Sequence, residues 1–163
     1  ARKLAFAMQN ENIRSIEPYK ILPILKTSFA GRYSDQLLVS CIKELEDPCN
    51  VLVRDRLTSS LSFGHFRFQE HLAAWELSQN RSIDLPQLTT YDWWVGTLGL
   101  YAQVNDFDHL FEDIFNKYGN IGRSLTALNA MIKNTPKSRK SWRQEIFSMY
   151  KKTDKQKYGI LGK

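Results

Sequence analysis

The apolar residues between Asn105 and Gly119 constrain the fold more than any other feature of this chain of 163 residues. They recur at i, i+3, i+4, i+7, i+8 and i+11, at Phe107, Leu110, Phe111, Ile114, Phe115 and Tyr118. Because residues three and four positions apart share one face of an α-helix, this spacing predicts an amphipathic helix from Asp106 to Tyr118. Asn105 is its expected N-cap, and Gly119 is the expected residue after its end. Such a helix must bury its apolar face against other elements.

Helical spacing recurs along most of the chain. It predicts helices over residues 2–9, 35–46, 51–60, 65–79, 91–103, 121–133 and 138–152, and a helix that begins or kinks at Pro23. Ser34, Thr90 and Ser138 are expected N-caps, and Cys41 is expected to face inward as a small core residue. No hairpin turn and no long alternating run indicates a sheet. The chain is therefore predicted to be all-α, a compact bundle of seven to eight helices.

Two of these helices, joined by a short turn, lie in Thr89 to Gly119, TTYDWWVGTLGLYAQVNDFDHLFEDIFNKYG. The first helix ends at a turn that combines small and aromatic residues, and the second helix contains a leucine followed by a phenylalanine. The stretch resembles a helical-hairpin repeat of the pentatricopeptide or tetratricopeptide kind, and NIGRSLTALNAMIKN would open another hairpin, so the resemblance covers about residues 89–134. It implies α-solenoid-like hairpins in the second half of the chain, as the alternative to a compact bundle. A pentatricopeptide likeness would also imply RNA binding through side chains on the first helix of each repeat.

Length and composition indicate one helical domain over residues 1–152, followed by a frayed basic tail over residues 153–163. The chain begins at Ala1 rather than Met, so we expect an excised domain or a processed form. Its longest apolar runs are only a few residues, so no membrane span is predicted. It has two cysteines, Cys41 and Cys49, and so small a number is typical of a reducing, intracellular compartment.

Positive charge is concentrated near the C-terminal end. Residues 1–132 carry 13 Lys and Arg against 15 Asp and Glu, a net charge of −2, whereas residues 133–163 carry 10 against 2, a net charge of +8. A basic segment on a slightly acidic body predicts a partner with negative charge. The candidate nucleic-acid-binding residues are Arg123, Lys133, Lys137, Arg139, Lys140, Arg143, Lys151, Lys152 and Lys155.

The predicted helix over residues 138–152 combines these cations with an apolar stripe of Trp142, Ile146, Met149 and Tyr150. Cations that neutralise phosphates, beside rings that stack on bases, are typical of nucleic-acid binding. Two other interpretations stay open. The helix could dock on the core through Trp142 and Ile146 and keep its lysines in water, or it could be a membrane-surface or calmodulin-like helix.

Metal and catalytic chemistry are not predicted. Cys41, Cys49, His65 and His71 are too widely spaced for a zinc finger, and no cofactor motif is present. The cysteines and histidines belong to no motif for nucleophilic catalysis, and His109 is expected at the boundary of its helix face.

Two further clusters each allow a structural and a functional interpretation. Asp106, Asp108, Glu112 and Asp113 are expected to form a solvated helix face, or else a docking face for a basic partner or for this chain's own basic tail. The turn from Gly119 to Ser124 is expected to be a plain helix–helix turn, or else, with Arg123, a phosphate site at a helix N-terminus.

The sequence thus predicts a non-enzymatic helical module that binds nucleic acid, RNA more than DNA, through a basic C-terminal surface. The alternative is a protein–protein interaction scaffold within a larger assembly, whose basic end only steers association. An accessory domain of a larger enzyme is a third interpretation.

Overall fold

The computed structural model describes the backbone of residues 1–159 and the side chains of residues 1–154. The chain divides into two compact units, Ala1–Glu76 and Leu77 onward. The described residues form nine α-helices and one small sheet, so the predicted helical class is confirmed, although the sheet was not predicted. The prediction of a single domain over residues 1–152 stays a prediction. In this part of the chain, no helix is both long and apolar enough to cross a membrane.

The helices of the first unit are α1 (Arg2–Asn10), α2 (Pro18–Ser28), α3 (Asp35–Glu46) and most of α4 (Phe66–Gln79). The predictions for α1, α3 and α4 are confirmed to within one residue at each end. The Oγ of Ser34 accepts a hydrogen bond from the backbone N–H of Leu37 at 3.3 Å, which is the predicted cap of α3. α2 begins at its first proline, where the missing N–H costs no helical hydrogen bond, and it continues through Pro23.

The first unit also contains three short antiparallel strands, β1 (Ser15–Ile16), β2 (Leu52–Arg54) and β3 (Leu61–Phe63). Their order in the sheet is β1-β3-β2. The helix predicted over residues 51–60 is therefore wrong, because this segment forms the hairpin between β2 and β3.

Turn chemistry at Asp55 explains the hairpin. One oxygen of its carboxylate accepts the backbone N–H of Leu57 at 2.9 Å and of Thr58 at 2.7 Å, and this reverses the chain. On the strands, Leu52 is buried and Val53 is exposed. In β3, Leu61 and Phe63 are buried on either side of the half-buried Ser62, whereas in β2 only Leu52 is buried. Each strand has three residues, which is too short for a period of two to stand out in the sequence.

The core of the first unit consists of buried side chains from α1, α2, α3 and all three strands, namely Leu4, Ala5, Met8, Ile16, Ile21, Leu25, Leu38, Leu52, Leu61 and Phe63. α3 faces this core through Leu38, Ile42 and Leu45, at i, i+4 and i+7. Cys41 lies one position away from that stripe and is exposed, so its predicted burial is wrong.

The second unit consists of the end of α4 and of five further helices, two of which follow a short 3₁₀ turn. These helices are α5 (Leu85–Leu88), α6 (Val95–Val104), α7 (Leu110–Tyr118), α8 (Leu125–Asn134) and α9 (Lys137–Gly159). The 3₁₀ turns are Asp92–Trp94 before α6 and Gly122–Ser124 before α8. α9 begins one residue before Ser138 and continues past the predicted end at Lys152, while residues 160–163 of the predicted tail lie outside the described residues.

The predicted start of α7 is wrong by four residues. The carboxylate of Asp106 accepts the backbone N–H of Asp108 at 3.1 Å, which forms a turn before the helix. The side-chain amide of Asn105 donates to the carbonyl of Tyr101 at 2.9 Å, so Asn105 closes α6 instead of capping α7. Phe107 is nevertheless fully buried, and Gly119 ends α7 with a φ of 72° as predicted.

Close packing of α6 against α8 explains one of the two glycines within α6. A Cβ at Gly99 would lie 3.0 Å from the Nδ2 of Asn134 and 3.8 Å from the carbonyl oxygen of Ala130. The two helices therefore approach so closely at this point that a glycine fits without displacing its neighbours.

Candidate nucleic-acid interface

α9 packs on the second unit through Arg143 and Phe147, each one residue beyond a predicted contact, and through Tyr150, which belongs to the predicted stripe. Arg143 and Phe147 are buried, and Tyr150 is half-buried. The rings of Phe147 and Tyr150 lie with their centroids 6.4 and 6.1 Å from the ring of Phe111 in α7. Trp142, by contrast, is 58% exposed, so the predicted docking through that residue is wrong.

Arg143 belongs to this packed face, and its guanidinium is fully buried and satisfied within the unit. Its Nε lies 2.6 Å from an oxygen of Asp108, and its Nη2 lies 3.1 Å from an oxygen of Asp106. It also donates to the hydroxyl of Thr135, and its Cζ lies 4.1 Å from the centroid of the Phe107 ring. Arg143 is inaccessible to a phosphate and does not belong to the basic surface predicted for it.

Arg139 is also neutralised from within the chain. Its Nη1 lies 2.9 Å from the other oxygen of Asp106. The backbone N–H of Asp108, then the hydrogen bond from Arg143 and the two arginine charges, hold the pKa of Asp106 below its usual range. Asp106 and Asp108 thus serve as a docking face for the chain's own basic helix, one of the two interpretations of the acidic cluster.

A groove lies between α8 and α9 and contains lysines that are not neutralised in this way. We call it the α8–α9 groove. It has a volume of about 460 Å³. Its walls are contributed by both helices, through Asn129, Ile132, Lys133, Lys140, Gln144, Phe147 and Ser148. None of these described side chains is acidic, and Lys133 and Lys140 form no ion pair within the described part of the chain. The groove therefore has an uncompensated positive charge.

The groove continues along α9 as a polar stripe. Residues at spacings of three and four share this face, and these are Lys137, Lys140, Gln144, Ser148 and Lys151. At a rise of about 1.5 Å per residue the stripe is about 21 Å long. The Nζ of Lys151 lies 5.3 Å from the centroid of the Phe147 ring, which also lines the groove. A second depression shares Gln144 and Ser148 with the groove and is lined by Lys152 and also by the acidic Glu145.

Arg123 lies apart from these lysines. The backbone N–H of Ile121, just before α8, donates to the carboxylate of Asp154 near the end of α9 at 3.0 Å, so the two helices run antiparallel. Arg123 is therefore at the Asp154 end of the pair, and Lys133 is about 15 Å away along α8. The side chain of Lys155 lies outside the described residues.

The turn from Gly119 to Ser124 uses its hydrogen-bonding groups internally. Asp154 accepts the N–H of Ile121, and the side chain of Asn120 accepts the N–H of Gly122 at 3.0 Å. The hydroxyl of Ser124 is buried against that of Thr89 at 2.6 Å. The amides of Ile121 and Gly122, two of those that a phosphate at this turn would need, are therefore already hydrogen-bonded within the unit.

The remaining sequence candidates are dispersed. Cys41 and Cys49 are both exposed, and within the described residues no three His, Cys, Asp or Glu side chains are grouped to hold a metal ion. The Nε2 of His109 lies 4.0 Å from Asp113, four residues further along α7, and both side chains are largely exposed.

Sequence reasoning missed the uncharged residues of the groove, Asn129, Gln144 and Ser148. A usable signal was present, because Asn129 precedes Lys133 by four positions, and Gln144 and Ser148 follow Lys140 by four and eight. Polar side chains at these spacings extend the face that carries each lysine.

Neither protein-family models nor curated proteins nor solved structures give a match to this chain. The resemblance of residues 89–134 to helical-hairpin repeats stays a prediction.

Proposed function

We propose that this chain is a nucleic-acid-binding module that holds RNA along the α8–α9 groove and the polar stripe of α9. The observation that carries the proposal is the placement of Lys133 and Lys140 on opposite walls of one groove without an acidic neighbour in its lining. A phosphate between them would meet two cations, and the amides and hydroxyl of the groove offer further hydrogen bonds. The resemblance of residues 89–134 to pentatricopeptide repeats favours RNA over DNA.

The set of phosphate contacts is smaller than the sequence suggested. Arg139 and Arg143 are neutralised by Asp106 and Asp108, so they add little to the potential of this surface. The lysines that remain on it are Lys133, Lys137, Lys140, Lys151 and Lys152. If four or five of them bind phosphates of a single strand, log K falls with log[salt] with a slope of about −3 to −3.5.

The test is fluorescence anisotropy with a labelled RNA pool across a salt series. In the variant Lys133→Gln/Lys140→Gln the slope should become less steep by about 1.4, and the affinity at about 0.1 M salt should fall about 25-fold, because two phosphate contacts are lost. The control is Arg32→Gln/Lys43→Gln, which removes the same charge from exposed positions of the first unit. Equal losses in both variants would show that only net charge matters, and the absence of binding by the unaltered chain at low salt would refute the proposal.

A second candidate function is a scaffold for another protein. It is favoured by the exposure of Trp142 and Met149, at 58% and 56%, and by that of Val104 in the same unit. Apolar side chains exposed together on one helix face are typical of interaction surfaces. A partner that is retained at about 1 M salt and lost with Trp142→Ser would support this function, because screening removes most charge-driven binding at that salt.

A further inference from the structure

The helix α4 exposes aromatic side chains on one face, although it buries polar side chains on the other. Phe68 is 60% exposed and Trp75 is 52% exposed. The buried face, by contrast, includes three polar side chains, Gln69, Glu70 and Glu76. Packing of the core therefore does not explain why the two rings are present. Large apolar side chains in solvent, on a helix that buries polar ones, indicate a surface used for binding.

Both carboxylates of α4 are turned away from this exposed face. An oxygen of Glu70 accepts from the Nη1 of Arg67 at 2.9 Å, and an oxygen of Glu76 lies 2.5 Å from the Nζ of Lys3. The side chains of the two acids are only 10% and 3% exposed. The exposed face of α4 therefore has no acidic side chain of its own helix beside its rings.

The exposed rings form a row with guanidiniums beside it. Phe68, His71 and Trp75 lie at i, i+3 and i+7, so they share one side of the helix, and we call them the α4 aromatic face. At a rise of about 1.5 Å per residue the row is about 10 Å long. The Cζ of Arg2 lies 4.7 Å from the centroid of the Trp75 ring, and Arg2 forms no ion pair within the described part of the chain. Arg67 precedes Phe68, and its side chain is 50% exposed.

This combination matches the chemistry of a nucleic-acid strand. Bases stack on aromatic rings and on the planes of guanidiniums, while the same cations attract the phosphates. An acidic peptide would leave the rings without a partner, and a purely apolar partner would leave the guanidinium of Arg2 without one.

We propose that the α4 aromatic face is a second RNA-contacting surface, on which bases stack. It is formed by residues of the first unit, whereas the lysines that bind phosphates in the proposed function belong to the second unit. This inference rests on the proposed function and adds to it the residues that contact bases, Phe68 and Trp75.

The experiment titrates a labelled oligoadenylate of about 12 nucleotides with the full chain and follows its fluorescence anisotropy. The variant Phe68→Leu/Trp75→Leu should weaken binding at least about tenfold, because loss of one stacked base is worth roughly that factor. Its salt slope should stay unchanged, since no cation is removed. Leucine keeps an apolar side chain at both positions, so the loss would be due to the rings and not to hydrophobicity alone. Both rings are more than half exposed, so the variant is expected to fold, which a far-ultraviolet circular dichroism spectrum checks.

Two controls accompany this variant. Phe68→Tyr/Trp75→Phe retains a ring at both positions and should bind within about threefold of the unaltered chain, because stacking needs only an aromatic face. Tyr19→Leu removes a ring that is 73% exposed from α2, which has no second aromatic residue, and should have no effect.

The outcomes separate this inference from the function on which it rests. If the leucine variant binds as the unaltered chain does while Lys133→Gln/Lys140→Gln still weakens binding, the stacking surface is refuted and the proposed function stands. Equal losses in the leucine variant and in either control would also refute the stacking surface. If the RNA does not bind at low salt, the proposed function fails and the stacking surface fails with it. A loss confined to the leucine variant, with an unchanged salt slope, would establish that bases stack on α4.

Discussion

Replacement of Arg143 by Met should destabilise the second unit by about 2 to 3 kcal/mol. Truncation of one partner in a fully buried ion pair costs about 3 to 5 kcal/mol, because the other charge loses its compensation. Here the side chains of Asp106 and Asp108 are 57% and 34% exposed, so water rehydrates them in part and the cost is lower. Met retains most of the buried aliphatic volume, which limits the contribution of a cavity.

The measurement is urea-induced unfolding followed by far-ultraviolet circular dichroism. Arg139→Met is the matched variant, since it removes a cation from the same carboxylate at a position that is 54% exposed, and it should cost less than about 0.5 kcal/mol. A double-mutant cycle of Arg143→Met with Asp108→Asn should give a coupling energy of about 1 to 2 kcal/mol. If Arg143→Met costs no more than Arg139→Met, then burial of this guanidinium does not determine how α9 docks.

Two further predictions concern the same unit. The pKa of Asp106 is lowered in the folded state, so its contribution to stability is complete above about pH 4, where the unfolded carboxyl is also ionised, and is lost as the pH falls towards the folded pKa. Asp106→Asn should therefore flatten the acid side of the stability profile, and an unchanged acid limb in urea titrations would contradict this. Gly99→Leu should destabilise the chain by about 2 kcal/mol, because a Cβ alone lies 3.0 Å from the Nδ2 of Asn134. A thermal midpoint equal to that of the unaltered chain would show that α6 and α8 separate without cost.

Local patterns in the sequence were sufficient for most of the helices. The spacing of apolar residues and the cap at Ser34 predicted α3 to the residue, because helix formation depends on neighbours within one or two turns. The strands β2 and β3 were not predicted, because each has three residues and their pairing joins positions 7 to 11 residues apart along the chain. Their formation depends on the turn at Asp55 and on burial of Leu61 and Phe63 in the core, which no local window contains.

The basic segment was visible as a net charge of +8 in the last residues of the chain, and the sequence by itself determined that excess. Only the tertiary structure decided which cations are exposed. Whether Arg143 meets solvent or Asp108 depends on how α9 is rotated against α7, and that rotation follows from the packing of Phe147 and Tyr150 against Phe111. The net charge follows from the composition alone. The accessibility of Arg143 depends on its contact with Asp108, which lies 35 positions away in the sequence. For this reason Arg143 belongs to the core and Lys133 and Lys140 belong to the groove, although all three look alike in the sequence.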